Sequence, residues 1–313
     1  MLINNNMLFR IATLLLSSCL PLSVQGAPTL ILNFDLNGTI LAEDSAAGKN
    51  RDCYLSEILA RRTKSRWEGG LPKEITYFEY LEEKGVPWKT KDEMLCRFSN
   101  DYDHYFNGTL KKQEKELSDA LDRMDTKIFE SFFRLLAHLD SEGLRYRVVL
   151  RSFGTDVTKA IEILENKLNI RIVRGEFNNG ALSIFDDNKE EQYKNLQEIE
   201  EVINQADFLA ITDEYEPWSK SGKKWTHGKK FFPSKGKGAY LPLFFDDNVV
   251  LNHPDKGIVH PILFSSSGSL SLTTPAELIH NQLFQIDTSE AILDPNYFIS
   301  LTEKALAIHS VRP

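Results

Sequence analysis

The chain of 313 residues predicts an α/β fold: a parallel sheet with a mainly helical segment inserted after its first strand. Three observations carry this. Leu30 to Ile40, LILNFDLNGTI, is an apolar strand that ends on Asp35 and enters the turn Asn37-Gly38-Thr39. Leu241 to Asn248, LPLFFDDN, is a second apolar strand, ending on Asp246 and Asp247. Between them, Leu144 to Leu150 reads as a strand followed by Arg151-Ser152-Phe153-Gly154 and an amphipathic helix, Val157 to Leu168. Strands of this kind place their terminal side chains at the carboxyl edge of the sheet, where open α/β folds bind ligands.

The composition, 42% apolar and 11% aromatic, suffices for one core plus a smaller appended unit. Residues 1–27 hold one charge, Arg10, then the apolar run Ile11 to Leu20 and small residues at Val24-Gln25-Gly26-Ala27. This pattern predicts a cleaved export signal and a periplasmic or secreted protein, with an uncleaved membrane anchor as the rival. The run is shorter than the ~20 residues a bilayer span requires, so no transmembrane span is expected in the mature chain. Leu16-Ser17-Ser18-Cys19 also resembles a lipoprotein box, which would leave Cys19 lipidated. Loss of the signal leaves 37 bases less Arg10, 36, against 45 acids, a net charge of −9. Nucleic acid is therefore not an expected partner. Lys220 to Lys237, with seven lysines in 18 residues, is the local exception, either a solvated loop or a recruiter of anions. Cys53 and Cys96 remain; a bridge would close about 44 residues and contribute ~4 kcal/mol, and the sequence leaves open whether they pair.

Helical spacing runs through Lys73 to Lys84, Lys89 to Phe98, Leu110 to Arg123 and Thr126 to Leu139, with turns at Gly85-Val86-Pro87 and Asn107-Gly108. Ile170 to Phe177 and Ala181 to Phe185 form a hairpin about Asn178-Asn179-Gly180. A charged helix is expected from Glu190 to Asn204, a strand at Phe208 to Thr212, a strand at Ile258 to Phe264 and a linker at Ser265 to Ser271. Helices near Pro275 to Leu283 and Pro295 to His309 complete the chain.

Phosphoryl transfer to an aspartate requires a nucleophilic carboxylate, a hydroxyl and an ammonium for the phosphate oxygens, and further acids for magnesium. Asp35 would be the nucleophile. Ser152 would hydrogen-bond the phosphoryl group, unless it only caps the following helix. Lys229 would neutralise it, in competition with Lys230 and Lys235. Asp246 and Asp247 would bind Mg2+ with Asp35 and the main-chain carbonyl of Asn37. Asp213 and Glu214, also at a strand end, are the rival metal acids.

This order resembles the haloacid dehalogenase superfamily, over residues 30–40, 145–156, 226–231 and 241–264. The resemblance implies a Rossmann-like core at 28–50 and 140–313, a helical cap at 51–139, and a Mg2+-dependent phosphatase acting on a small phosphorylated substrate through an aspartyl-phosphate. The cap would select substrate, with Trp67, Tyr77, Phe78 and Trp88 as lining or as its own core. The oligomeric state is not implied. Position 37 departs from the pattern: the family's phosphatases carry there a second aspartate that protonates the leaving oxygen, and an amide cannot. Either Glu214, His227 or another group substitutes, or the protein binds without turnover. Deamidation at Asn37-Gly38 would also create that acid.

Overall fold

The computed structural model describes residues 27–42, 49–68, 70, 73–186, 189–234, 238–250, 256–264, 270–271 and 273–311. Residues 1–26, where the export signal and Cys19 are expected, lie outside them, as do Lys235, Lys237 and most of the serine-rich linker. The protein is α/β, with an eight-stranded, mostly parallel central sheet and eleven α-helices among the described residues. This arrangement is compatible with a Rossmann-like fold.

The strands are β1 (Thr29–Asp35), β2 (Tyr146–Ser152), β3 (Val173–Asn178), β4 (Ala181–Asp186), β5 (Lys189–Tyr193), β6 (Phe208–Thr212), β7 (Tyr240–Asp246) and β8 (Leu283–Gln285), in the spatial order β8-β7-β1-β2-β6-β3-β4-β5. The first six in that order run parallel; β4 and β5 extend the sheet antiparallel. The chain leaves β1 for β2 on one side and later returns to β7 on the other. The carboxyl ends of β1 and β7 thus flank a point where the strand order reverses, the place where such sheets bind ligands.

The alternation of a strand divides β1 between two layers. Leu30, Leu32 and Phe34 enter one core, where Phe34 stacks on Phe245 and meets Phe132 and Phe298 edge-on, at centroid separations of 4.7, 5.2 and 5.2 Å. Helices Glu130–Ser141 and Tyr297–Val311 supply those last two rings. Ile31 faces the other layer, with Ile199 and Ile203 of helix Leu196–Gln205. Asn33 is buried within the sheet and donates to the carbonyl of Leu243, 3.2 Å away.

Between β1 and β2 lie helices α1 (Arg51–Arg62), α2 (Tyr77–Glu83), α3 (Trp88–Tyr102), α4 (Thr109–Asp122) and α5 (Glu130–Ser141). Helix α1 begins at Asn50, whose side chain accepts from Cys53 N, and a disulfide from Cys53 to Cys96 ties it to α3. Helix α2 starts in a capping box between Thr76 and Glu79. Trp67, Tyr77, Phe98 and Tyr102 pack together inside these helices. Of the four aromatics singled out in the sequence, Trp67 and Tyr77 are therefore interior. Helix α5, placed with the 51–139 insertion by its position in the sequence, packs on the sheet through Phe132.

Three expected elements differ. Residues 189–193 are β5, an edge strand paired with β4, and the helix begins only after Asn195, whose side chain accepts from Gln197 N. Pairing along the hairpin overrides the helix propensity of Lys189-Glu190-Glu191-Gln192. The stretch expected as one helix from Pro275 splits into a short helix, Pro275–Leu278, and β8, with His280 in the left-handed region (φ 66°) between them. Val259–Pro261 pairs with Lys229–Phe231 as a separate parallel ribbon rather than joining the central sheet. The hairpin turn is as expected, with Asn179 and Gly180 both at positive φ.

Candidate functional site: a carboxylate triad at the sheet edge

Asp35, Asp246 and Asp247 each present an oxygen within 4.8 Å of the others. Asp35 closes β1 and Asp246 closes β7, in strands that are hydrogen-bonded neighbours, so parallel pairing alone brings the two carboxylates together. Asp247 follows by one residue. Its backbone N–H donates to Thr39 Oγ1 at 3.0 Å, which fastens the turn after β1 to the end of β7. Gly38 makes that approach possible: it sits at φ 76°, and a Cβ there would stand 2.8 Å from Asp247 Oδ2.

Lys229 is buried, and its ammonium donates to Asp35 Oδ1 and to Asp246 Oδ2, the latter at 2.9 Å. Asp246 Oδ1 accepts from Asn248 N at 2.8 Å, and Asp247 Oδ1 from Asn248 Nδ2 at 2.9 Å. The second oxygens of Asp35 and Asp247 receive no hydrogen bond from the described residues. Burial alone would depress the Lys229 pKa, but Asp246 and Asp35 outweigh it and raise it above the ordinary lysine value. Burial likewise pushes Asp35 up; Lys229 opposes this while Asp246 and Asp247 add to it. Asp247 is pushed up to about 7, by burial first and Asp246 second. Three carboxylates against one ammonium leave excess negative charge in a poorly solvated place. Oxygen-only donors with that charge suit a hard divalent cation such as Mg2+.

Lys229 reaches this position because Gly228 lets two backbones touch. A Cβ at Gly228 would lie 2.1 Å from the carbonyl oxygen of Ile258, the group that accepts from Lys229 N at 2.7 Å. Its neighbour Lys230 points the other way, to within 3.8 Å of Glu214 and 4.3 Å of the Phe177 ring centroid. Of these two lysines, Lys229 is the one that faces the carboxylates; Lys235 lies outside the described residues.

Ser152 ends β2 beside β1, and its Oγ accepts from Gly154 N at 3.0 Å. The cap position of the following helix, Asp156–Leu168, is Thr155, so Ser152 does not fill it. The rival acids are engaged elsewhere. Asp213 forms a buried two-point pair with Arg151, at 2.9 and 2.5 Å, and Glu214 accepts from Gly180 N at 3.0 Å. Glu214 and His227 line a cavity of about 190 Å3 with Lys230 and His260, whose lining includes neither Asp35 nor Lys229.

Asn37 Nδ2 donates to Asp156 Oδ2 at 2.8 Å, while Asn37 Oδ1 is buried without a hydrogen-bond partner. The sequence reading missed Asp156, whose partner is 119 residues away. The Gly38 N–H that would attack the side chain in deamidation instead donates to Leu41 O at 3.2 Å. No family model, curated protein or solved structure matches the chain.

Proposed function

We propose that the protein is a Mg2+-dependent phosphatase of the haloacid dehalogenase type, acting on a small phosphorylated substrate. The observation that carries this is the ammonium of Lys229 shared between Asp35 and Asp246, with Asp247 alongside. Asp35, Asp246 and Asp247 would hold the cation, with the main-chain carbonyl of Asn37. When bound, it would neutralise charge developing on the phosphoryl oxygens.

Asp35 attacks phosphorus, the bond to the alcohol oxygen breaks, and the alcohol departs with a proton drawn from solvent. Water then attacks the aspartyl-phosphate, releasing inorganic phosphate, restoring the Asp35 carboxylate and returning the proton. Ser152 and Lys229 hold the phosphoryl oxygens. Asn37, fixed through its Nδ2 by Asp156, directs Oδ1 as an acceptor that orients water but takes no proton. Leaving groups that need protonation are therefore slow, and activated esters are the better substrates. The helices α1 to α4 act as the cap. The Cys53–Cys96 bridge supports export to an oxidising compartment, and no described helix is long and apolar enough to cross a membrane.

The test is Mg2+-dependent release of phosphate from an activated aryl phosphate by the full chain and by Asp35→Asn. Release by the parent that vanishes in the variant supports the reading. The tie from Asn37 to Asp156 favours a second one, a protein that binds phosphorylated ligands without turnover; no release despite Mg2+ binding would favour it.

A further inference from the structure

A chain of contacts between cations and aromatic rings leaves the carboxylate triad and returns to it. From Lys229, whose ammonium lies 5.2 Å from the Phe153 ring centroid, Phe153 stacks on Trp218 at 5.1 Å. Lys223 sits over Trp218 at 5.4 Å and over Trp88 at 4.1 Å. Lys91 lies 4.9 Å from Trp88 and 5.2 Å from Phe78, and Arg61 lies 4.1 Å from Phe78. Arg61 Nη1 then reaches Asn248 Oδ1 at 3.4 Å, beside Asp247. The ring draws on α1, α2 and α3 of the insertion as well as on the segment before Lys229, so it links these helices to the strand ends that carry the carboxylates.

The ring gathers cations, two of them paired with carboxylates: Glu57 pairs with Arg61 and is shared with Lys49, and Glu82 pairs with Lys91 and lies 3.9 Å from Lys256. Lys223 has no carboxylate partner among the described residues. Arg61, Lys223 and Lys256 are close enough that buried Lys91 and half-buried Lys223 are each held below the ordinary lysine pKa, by burial first and by neighbouring cations second. A protein with a net charge of −8 has thus gathered four cations beside an acidic centre. Such a cluster is costly without a ligand and favourable with an anion.

Resting on the phosphatase reading, we propose that the substrate is a phosphate ester whose alcohol carries a second anionic group, held by Lys223, Lys91 and Arg61 among Trp88, Trp218 and Phe78. The first phosphate meets Lys229 and Ser152, and the ring fixes the far end.

The test compares n-butyl phosphate with ω-phosphonobutyl phosphate, the same ester bearing a phosphonate that cannot be hydrolysed. Turnover by the full chain is read as kcat/KM, and binding to Asp35→Asn with Mg2+ is read by calorimetry. The parent should favour the phosphonate-bearing ester by about tenfold or more, mainly through KM. Lys223→Asn, which suits the left-handed backbone there (φ 64°), should bring the ratio towards one, as should Lys91→Gln; Lys223→Arg should keep it. Equal kcat/KM and equal affinity for the two esters would overturn the inference while leaving a working phosphatase. Preferential binding that Lys223→Asn abolishes, without turnover of either ester, would uphold the second-anion site and reject the phosphatase. Neither turnover nor binding would reject both.

Discussion

Lys229 and Asp35 are joined by a buried hydrogen-bonded ion pair across 194 residues of sequence, and the same ammonium also holds Asp246. Removing that ammonium leaves the carboxylates facing one another without their cation. Lys229→Met should therefore lose roughly 3–5 kcal/mol of stability, the range for a broken buried pair, and phosphate release with it. Added Mg2+ should raise the melting temperature of the variant more than that of the parent. Denaturant unfolding with and without Mg2+ checks this; a variant as stable as the parent would sink the account.

The contact from Asn37 to Asp156 makes position 37 more than a missing acid. In Asn37→Asp two carboxyls would stand about where the 2.8 Å hydrogen bond now is, and such neighbours share a proton rather than ionise independently. The single variant should therefore gain little at neutral pH. Asn37→Asp with Asp156→Asn keeps a hydrogen-bonded pair, with acid and amide exchanged, and should exceed the parent by about 10²-fold on a poor leaving group, the lower end for general acid catalysis. The comparison is kcat on an alkyl phosphate. Equal rates in the single and double variants would rule out Asp156 as the restraint.

Much of this site is legible in the sequence because it is built at strand ends. Apolar runs closing on Asp35 and on Asp246 announce themselves, and parallel pairing does the rest. Lys229 against Lys230 is not legible, since neighbours on a strand point opposite ways and only the ribbon with Val259–Pro261 fixes which way is inward. Asp156 and Thr39 are silent for another reason. Each meets a residue of the site more than a hundred positions away. Helix α1 carries local signals of its own, Asn50 at its cap and Leu55, Ile58 and Leu59 at helical spacing. Residues 189–193 show the opposite case, a locally helical composition drawn into an edge strand by its hairpin neighbour.

The Cys53–Cys96 bridge joins α1 to α3 with a sequence separation of 43. Loop closure of that size is worth ~4 kcal/mol in the chain-entropy model. Because α1 also carries Arg61, loosening it should disturb the cationic ring as well as stability. Cys53→Ser with Cys96→Ser should lower the denaturant midpoint, and should reduce discrimination between esters with and without a second anion more than turnover of the simple one. Unchanged discrimination alongside lower stability would separate the bridge from the ring.

His260 is half-buried against Trp225, beside Lys230 and His227, and its pKa is lowered to about 4 by burial first, then by Lys230 and by its neighbour His227. The unfolded chain takes up this proton near pH 6.5, whereas the folded chain resists it until about pH 4. Between those values the unfolded state binds more protons, so the stability this group contributes is complete above 6.5 and is lost as pH falls towards 4. With His260 only half-buried, the loss should amount to about 1–2 kcal/mol after allowance for solvent screening. His260→Gln should flatten that part of the stability profile, measured by denaturant unfolding at successive pH values. A profile that stays as steep in the variant would assign the acid sensitivity to other groups.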